Sequence, residues 1–305
     1  MEVDGRRLRK RKLQVGFWQG MAEELDEDGP LSFQPLQSPC EAAVIWLHGF
    51  GDMPEWWADV TTAERRKRPS WAWIFPRAKE MSQPCYDGQA VTAWASFVSS
   101  DIIQPGSVDY DSTAKGYASS VSIIHRIIRN VSKRHGLPAE RIAVLGVSQG
   151  AACAGAAALT YPDRLGGIAM ISGWLIKSAR DTLAKSNNPN CGPSSRIFLG
   201  HGAADQEVSF QCAESAEREL RASGVSVVRR SFPGLDHNSG STASLPDAME
   251  FLDSCLARDI DTRPSHAAAE PFRQDGSSCA CGEQALSRAK EHVVTCNHDK
   301  VRNGG

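Results

Sequence analysis

The chain has 305 residues, 41% of them hydrophobic and 23% charged, an ordinary balance for a soluble globular protein able to bury a large core. A formal net charge of -2 excludes an overall electrostatic pull toward nucleic acid or an anionic membrane, so no nucleic-acid partner is expected. No apolar run reaches bilayer-spanning length, and the start Met1-Glu-Val-Asp-Gly-Arg-Arg7 lacks the apolar core of a signal peptide, which makes a cytoplasmic location the expectation.

Residues 1–30 carry a basic run from Arg6 to Lys12 and an acidic run from Glu23 to Asp28, closed by Gly29-Pro30, and are expected to form a flexible charged N-terminal extension. Residues 31–258 read as one catalytic body. Beyond residue 259 the strand pattern is lost, and residues 259–305 are expected to be a polar tail containing Cys and His. The nine cysteines are an odd number, scattered without a disulfide framework. In the tail, Cys279, Cys281, His292, Cys296 and His298 lack the spacing of a zinc site, so no metal is expected.

Within the body, short apolar runs alternate with helical patterns. Strands are expected at 43–47, 71–75, 142–145, 167–171, 196–199 and 225–232, each apolar enough to be buried on both faces of a parallel sheet. Tyr117, Val121, Ile124, Ile128 and Val131 recur at three and four residues, predicting a helix over 112–135 that Gly136-Leu-Pro138 stops. Further helices are expected at 151–159, 211–222 and 245–257.

The segment from Arg141 to Gly155 holds Gly146-Val-Ser148-Gln-Gly150 between an apolar strand and an Ala-rich helix. That is the sequence pattern of a nucleophile elbow, in which a turn too tight for side chains on its flanks lifts a serine hydroxyl off the sheet. It predicts an α/β-hydrolase fold, a mostly parallel central sheet with helices on both faces.

A serine hydroxyl is a weak nucleophile, so a base and a carboxylate to orient the base must come from elsewhere. Two loops at the carboxyl ends of strands offer them, Gly200-His-Gly-Ala-Ala-Asp205-Gln-Glu-Val208 and Pro233-Gly-Leu-Asp-His237. Asp205 is the expected orienting acid and His237 the general base, with Glu207 the strongest rival to Asp205 and with Asp236 and Asp163 as weaker ones. His201 reads as a structural donor to its loop. For the oxyanion, Gln149 offers its backbone N–H by position, and Phe50 in His48-Gly-Phe-Gly-Asp52 is the candidate second donor.

Val44-Ile-Trp-Leu-His-Gly-Phe-Gly-Asp52 with Trp57, Phe75-Pro76, Trp94, Gly146-Val-Ser-Gln-Gly150, Ser172-Gly-Trp-Leu175, His201-Gly-Ala-Ala-Asp205 with Val208, and Gly234 with His237 together resemble the acyl-protein thioesterase family, also called the phospholipase/carboxylesterase family. The resemblance implies Ser148, Asp205 and His237 as a catalytic triad and Phe50 and Gln149 as oxyanion donors. It implies hydrolysis of acyl thioesters on S-acylated proteins, or of lysophospholipids and small carboxylic esters, with transient contact at a membrane surface and no cofactor. Trp57, Met81, Trp94 and Trp174 are the expected lining of an acyl pocket. A catalytically silent relative that binds an acyl chain is the alternative of another class.

Overall fold

The computed structural model describes residues 30–110, 115–185 and 188–257. The expectations for the N-terminal extension, for the C-terminal tail with its cysteines and histidines, and for the start of the helix at 112 lie outside the described residues.

The chain enters through a short strand β1 (Leu31–Phe33) and then β2 (Ala42–Leu47), in which every residue is buried. Two short helices, α1 (Pro54–Val60) and α2 (Thr62–Lys67), lead to β3 (Trp71–Phe75). A small antiparallel pair follows, β4 (Lys79–Ser82) with β5 (Ala90–Ala93). The long helix α3 (Lys115–His135) precedes β6 (Ile142–Val147), again buried throughout, and α4 (Gln149–Thr160). The remainder alternates: β7 (Gly167–Ile171), α5 (Lys177–Lys185), β8 (Arg196–Gly202), α6 (Phe210–Ala222), β9 (Ser226–Phe232), α7 (His237–Ala243) and α8 (Leu245–Leu256).

Seven strands form one sheet in the order β1-β3-β2-β6-β7-β8-β9, parallel except for the antiparallel edge strand β1. Parallel neighbours require crossover helices, and these cover both faces of the sheet, which is why β2 and β6 carry apolar residues without alternation. One face packs Ile45, Leu47, Val144, Ile168 and Ile197 under α3, α4, α5 and α6. The other packs Val44, Trp46, Leu145 and Phe198 under α1 and α8. The apolar stripe expected on α3 faces the sheet, with Tyr117, Ile124, Ile128 and Val131 buried. The architecture is the α/β-hydrolase fold.

The structure adds elements that the pattern of residues did not announce. β1 is three residues long, β4 is mostly exposed, and α1, α2, α5 and α7 are short. The periodicity of such segments is too brief to stand out. The turns after β2, β6, β7, β8 and β9 all lie at the carboxyl edge of the sheet, where an open parallel sheet gathers a site.

Candidate active site

Ser148 caps the start of α4 with φ 55° and ψ −124°, a conformation that L-residues rarely adopt and that persists only where the surroundings force it. The forcing is visible at both flanking glycines. A Cβ at Gly146 would meet the Gly150 carbonyl oxygen at 2.2 Å, and a Cβ at Gly150 would meet the His48 carbonyl oxygen at 2.3 Å. Neither site admits a side chain, so β6 can turn directly into α4 and the serine stays at the apex, half-buried. The Ser148 N–H donates to Ile171 O at 2.8 Å, which ties the elbow to the end of β7.

Asp205 and His237 come from the turns after β8 and β9. A Cβ at Gly202 would meet the carbonyl oxygens of Leu235 and Asp236 at 2.4 and 2.6 Å, so a glycine there lets the two turns touch. His237 Nδ1 donates to Asp205 Oδ2 at 2.7 Å, which leaves Nε2 as the proton-accepting nitrogen. Asp205 Oδ1 accepts the backbone N–H groups of Glu207 and Val208 at 2.9 and 2.8 Å. His201 Nε2 donates to Val208 O at 2.8 Å and lies 3.1 Å from Asp205 Oδ2, in keeping with its expected structural role.

Burial alone would raise the pKa of the Asp205 carboxyl, but the hydrogen bonds from His201 and His237 outweigh it and hold the group well below the ordinary carboxylate range. For His237, burial lowers the pKa, yet the bond to Asp205 and its negative charge reverse the sign, with smaller contributions from Glu207 and Asp52. The net direction is upward. Glu207, the rival acid, sits on the other side of the ring, its Oε2 4.0 Å from His237 Nε2. Asp236 is engaged elsewhere, capping α7 by accepting from the Ser239 N–H at 2.8 Å. Within α7 the Ser241 hydroxyl meets the His237 carbonyl at 2.7 Å and Ser172 Oγ at 2.9 Å, which seats the histidine helix against the end of β7 beside the elbow. Among the described residues the Ser148 hydroxyl makes no hydrogen bond, and catalytic contacts of this kind are commonly long before substrate binds.

The loop after β2 runs beside the serine: a Cβ at Gly49 would lie 3.6 Å from the Ser148 Cβ. Gln149 is the first residue of α4, so its N–H has no partner within the helix. The Gln149 side chain is fully buried, its Oε1 accepting from the Trp94 N–H at 2.9 Å and its Nε2 donating to Ala95 O at 2.8 Å. Among the described residues the Phe50 N–H has no hydrogen-bond acceptor.

The expected acyl-pocket residues are placed differently from one another. Trp57 is 3% exposed, packs on Trp46 and donates its indole N–H to Asp52 Oδ2 at 3.1 Å. Trp94 is 2% exposed and donates its indole N–H to His48 O at 2.8 Å. These two rings are fixed in the interior and hold the β2 loop; they do not offer a face to a ligand, which corrects the sequence expectation. Trp174 is fully buried too, so it offers no free face to a ligand either, again unlike the sequence expectation; it packs beside Phe97, whose tilted ring lies 5.0 Å from Phe50. Met81 is half-buried on β4, within 3.6 Å of the Ser96 hydroxyl. Sequence reasoning missed Phe97, because nothing in Ala95-Ser-Phe97 marks a side chain that folds back against Phe50 in the loop after β2.

The family model for phospholipase/carboxylesterase matches residues 32–256. The chain is 27% identical over 228 residues to acyl-protein thioesterase 1 of Debaryomyces hansenii, covering 72% of this chain and 94% of that protein. It is 29% identical over 216 residues to carboxylesterase SOBER1 of Arabidopsis thaliana, covering 70% of this chain and 89% of that one. The crystal structure of Arabidopsis thaliana SOBER1 superposes with a TM-score of 0.62 at 26% identity, over 70% of this chain and 99% of that chain. With the match running from β1 to the end of α8 and the elbow inside it, the chain belongs to the phospholipase/carboxylesterase family.

Proposed function

We propose that the protein is a serine hydrolase that cleaves acyl thioesters, with S-acylated proteins as its substrates. Ser148 is the nucleophile, His237 the general base and acid, and Asp205 the carboxylate that fixes the tautomer of His237. His237 Nε2 takes the Ser148 proton as Oγ attacks the acyl carbon. The oxyanion that forms rests on the N–H groups of Phe50 and Gln149. His237 then returns the proton to the departing thiolate or alkoxide, and water repeats the cycle on the acyl-enzyme. A thiol, with a pKa of about 8.5, leaves more readily than an alcohol. None of these steps calls for a cofactor.

The observation that carries the proposal is the buried Asp205–His237 pair at 2.7 Å, in turns at the same carboxyl edge of the sheet as a serine held at positive φ. A carboxylesterase acting on short esters is the second reading, and the cluster of tilted rings formed by Phe50, Phe97 and Trp174 favours it by filling space beside the β2 loop.

The test is labelling with a fluorophosphonate, with Ser148→Ala and His237→Ala in parallel, followed by turnover of acyl thioesters of increasing chain length. Labelling lost in both variants and a preference for long acyl chains support the thioesterase. A preference for short chains moves the assignment to the carboxylesterase. A wild-type protein that neither labels nor turns over an ester leaves the silent acyl-binding relative.

A further inference from the structure

The oxyanion loop contains a histidine to which the proposed mechanism gives no role. His48 is 1% exposed, and both its ring nitrogens are occupied. The Ala78 N–H donates to Nε2 at 3.1 Å, so Nε2 carries a lone pair and Nδ1 carries the hydrogen. Nδ1–H points at the carbonyl oxygen of the next residue, Gly49 O, at 2.7 Å. Burial lowers the pKa of this ring, which favours its neutral form, and is only partly offset by the bond to Gly49.

The consequence follows from the planarity of the peptide bond. The Gly49 carbonyl and the Phe50 N–H belong to one trans peptide unit and point in opposite directions. A group that grips the carbonyl therefore sets the direction of the amide. The Asp52 N–H also reaches Gly49 O, but at 3.4 Å, so the histidine is the closer grip. The preceding peptide unit is held on both sides as well: Trp94 Nε1 donates to His48 O at 2.8 Å, and Asp52 Oδ2 accepts the Gly49 N–H at 3.1 Å. Gln149 closes the circuit, since its side chain fixes Trp94 while its own N–H is the other proposed oxyanion donor.

We propose that His48 is a positioning residue of the reaction: its Nδ1–H, anchored on Gly49 O, turns the Phe50 amide toward the oxygen of the scissile acyl group. Trp94 supports it by fixing the His48 carbonyl. The inference rests on the serine-hydrolase reading above.

Two isosteric variants separate the nitrogens. His48→Asn places an amide N–H near the position of Nδ1 and keeps the grip on Gly49 O. His48→Gln places its amide near Nε2, where its oxygen takes the Ala78 N–H while the grip on Gly49 O is lost. With an acyl thioester, His48→Gln is expected to lower kcat by roughly 10- to 100-fold with KM within about twofold, because a misdirected donor acts on the transition state alone. Inhibition by an alkylboronic acid reads the same donor. It adds to Ser148 Oγ as the proton passes to His237, places a boron hydroxyl where the oxyanion forms, and is expected to weaken by a similar factor. His48→Asn is expected to stay within about fivefold of wild type. Trp73→Phe, at a buried indole whose N–H has no acceptor among the described residues, is the control and keeps wild-type kinetics.

Equal losses in the two His48 variants, a loss confined to KM, or unchanged boronate inhibition in His48→Gln overturn the proposal. If a His48 variant does not fold, Trp94→Phe provides the same readout: about a tenfold drop in kcat at constant KM is expected, and an unchanged kcat overturns the proposal. An inactive wild-type protein overturns the hydrolase reading and this inference together. An active one that is indifferent to both His48 variants overturns this inference alone.

Discussion

His237 Nδ1 lies 2.7 Å from Asp205 Oδ2, and the carboxylate that receives it is fully buried and accepts two further backbone N–H groups. A carboxylate so supplied with donors stays ionised well below the ordinary range, and a histidine facing it is easier to protonate than one in water.

The pH profile follows from these directions. His237 must be neutral to accept a proton, so kcat/KM is expected to rise with pH through a midpoint above the ordinary 6.5. Asp205→Asn removes both the charge and the correct tautomer. It is expected to lower kcat by about 10³–10⁴ and to move the midpoint downward, because burial then opposes only the smaller contributions of Glu207 and Asp52. A rate profile of the variant that keeps the wild-type midpoint would contradict the coupling.

The same pair links stability to pH. The depressed carboxyl of Asp205 contributes stability above 3.8, lost as pH falls through its folded value. The raised His237 contributes stability that is complete below 6.5 and lost as pH rises through its folded value. The stability difference between wild type and Asp205→Asn, measured by urea unfolding, is therefore expected to be greatest between these two values and to shrink on either side.

Backbone strain at Ser148 gives a prediction with opposite signs for activity and stability. Glycine adopts φ 55° without cost, whereas alanine keeps the strain. Ser148→Gly and Ser148→Ala are both expected to lose fluorophosphonate labelling, with the glycine variant the more stable by about 1 kcal/mol. Equal melting temperatures would show that the elbow stores no strain.

Two glycines of α4 should respond differently to alanine. At Gly150 the new Cβ meets backbone, the His48 carbonyl oxygen, at 2.3 Å, so Gly150→Ala must displace the oxyanion loop. A cost of about 2 kcal/mol or more and a loss of turnover are expected. At Gly155 the nearest atom is the flexible Met170 Sδ at 2.9 Å, so Gly155→Ala should cost less and keep activity. Calorimetry and kinetics of the two variants check the contrast.

Gly202 is where the Asp205 and His237 turns touch. Gly202→Ala is expected to push the Leu235 and Asp236 carbonyls away and to lower kcat by at least tenfold while fluorophosphonate still reaches Ser148 slowly. Wild-type kcat in this variant would show that the turns have room to adjust.

What the sequence determined by itself is local in character. The elbow is a strand, a tight turn and a small-residue helix within fifteen consecutive positions, so the neighbours of Ser148 in the chain are also its neighbours in space. The buried strands could be read from continuous apolar runs, and Asp205 and His237 from turns that a parallel sheet delivers to one edge. Tertiary structure decided the rest. His237-Asn-Ser-Gly-Ser-Thr-Ala243 contains poor helix formers, yet it is a helix, capped by Asp236 and with Gly240 packed against Gly202 where no Cβ would fit. Trp94 looks like an exposed pocket residue until its indole is found on His48 O, 46 positions away, and Phe97 joins Phe50 only once the intervening strands have folded. The His48 ring, which we propose aims the Phe50 amide, is held by the neighbouring Gly49 carbonyl and by the backbone N–H of Ala78, and the latter arrives only when β2 and β3 pair. Sequence pattern reports which residues are buried together; the direction of a single N–H depends on contacts between segments, and only the folded chain supplies them.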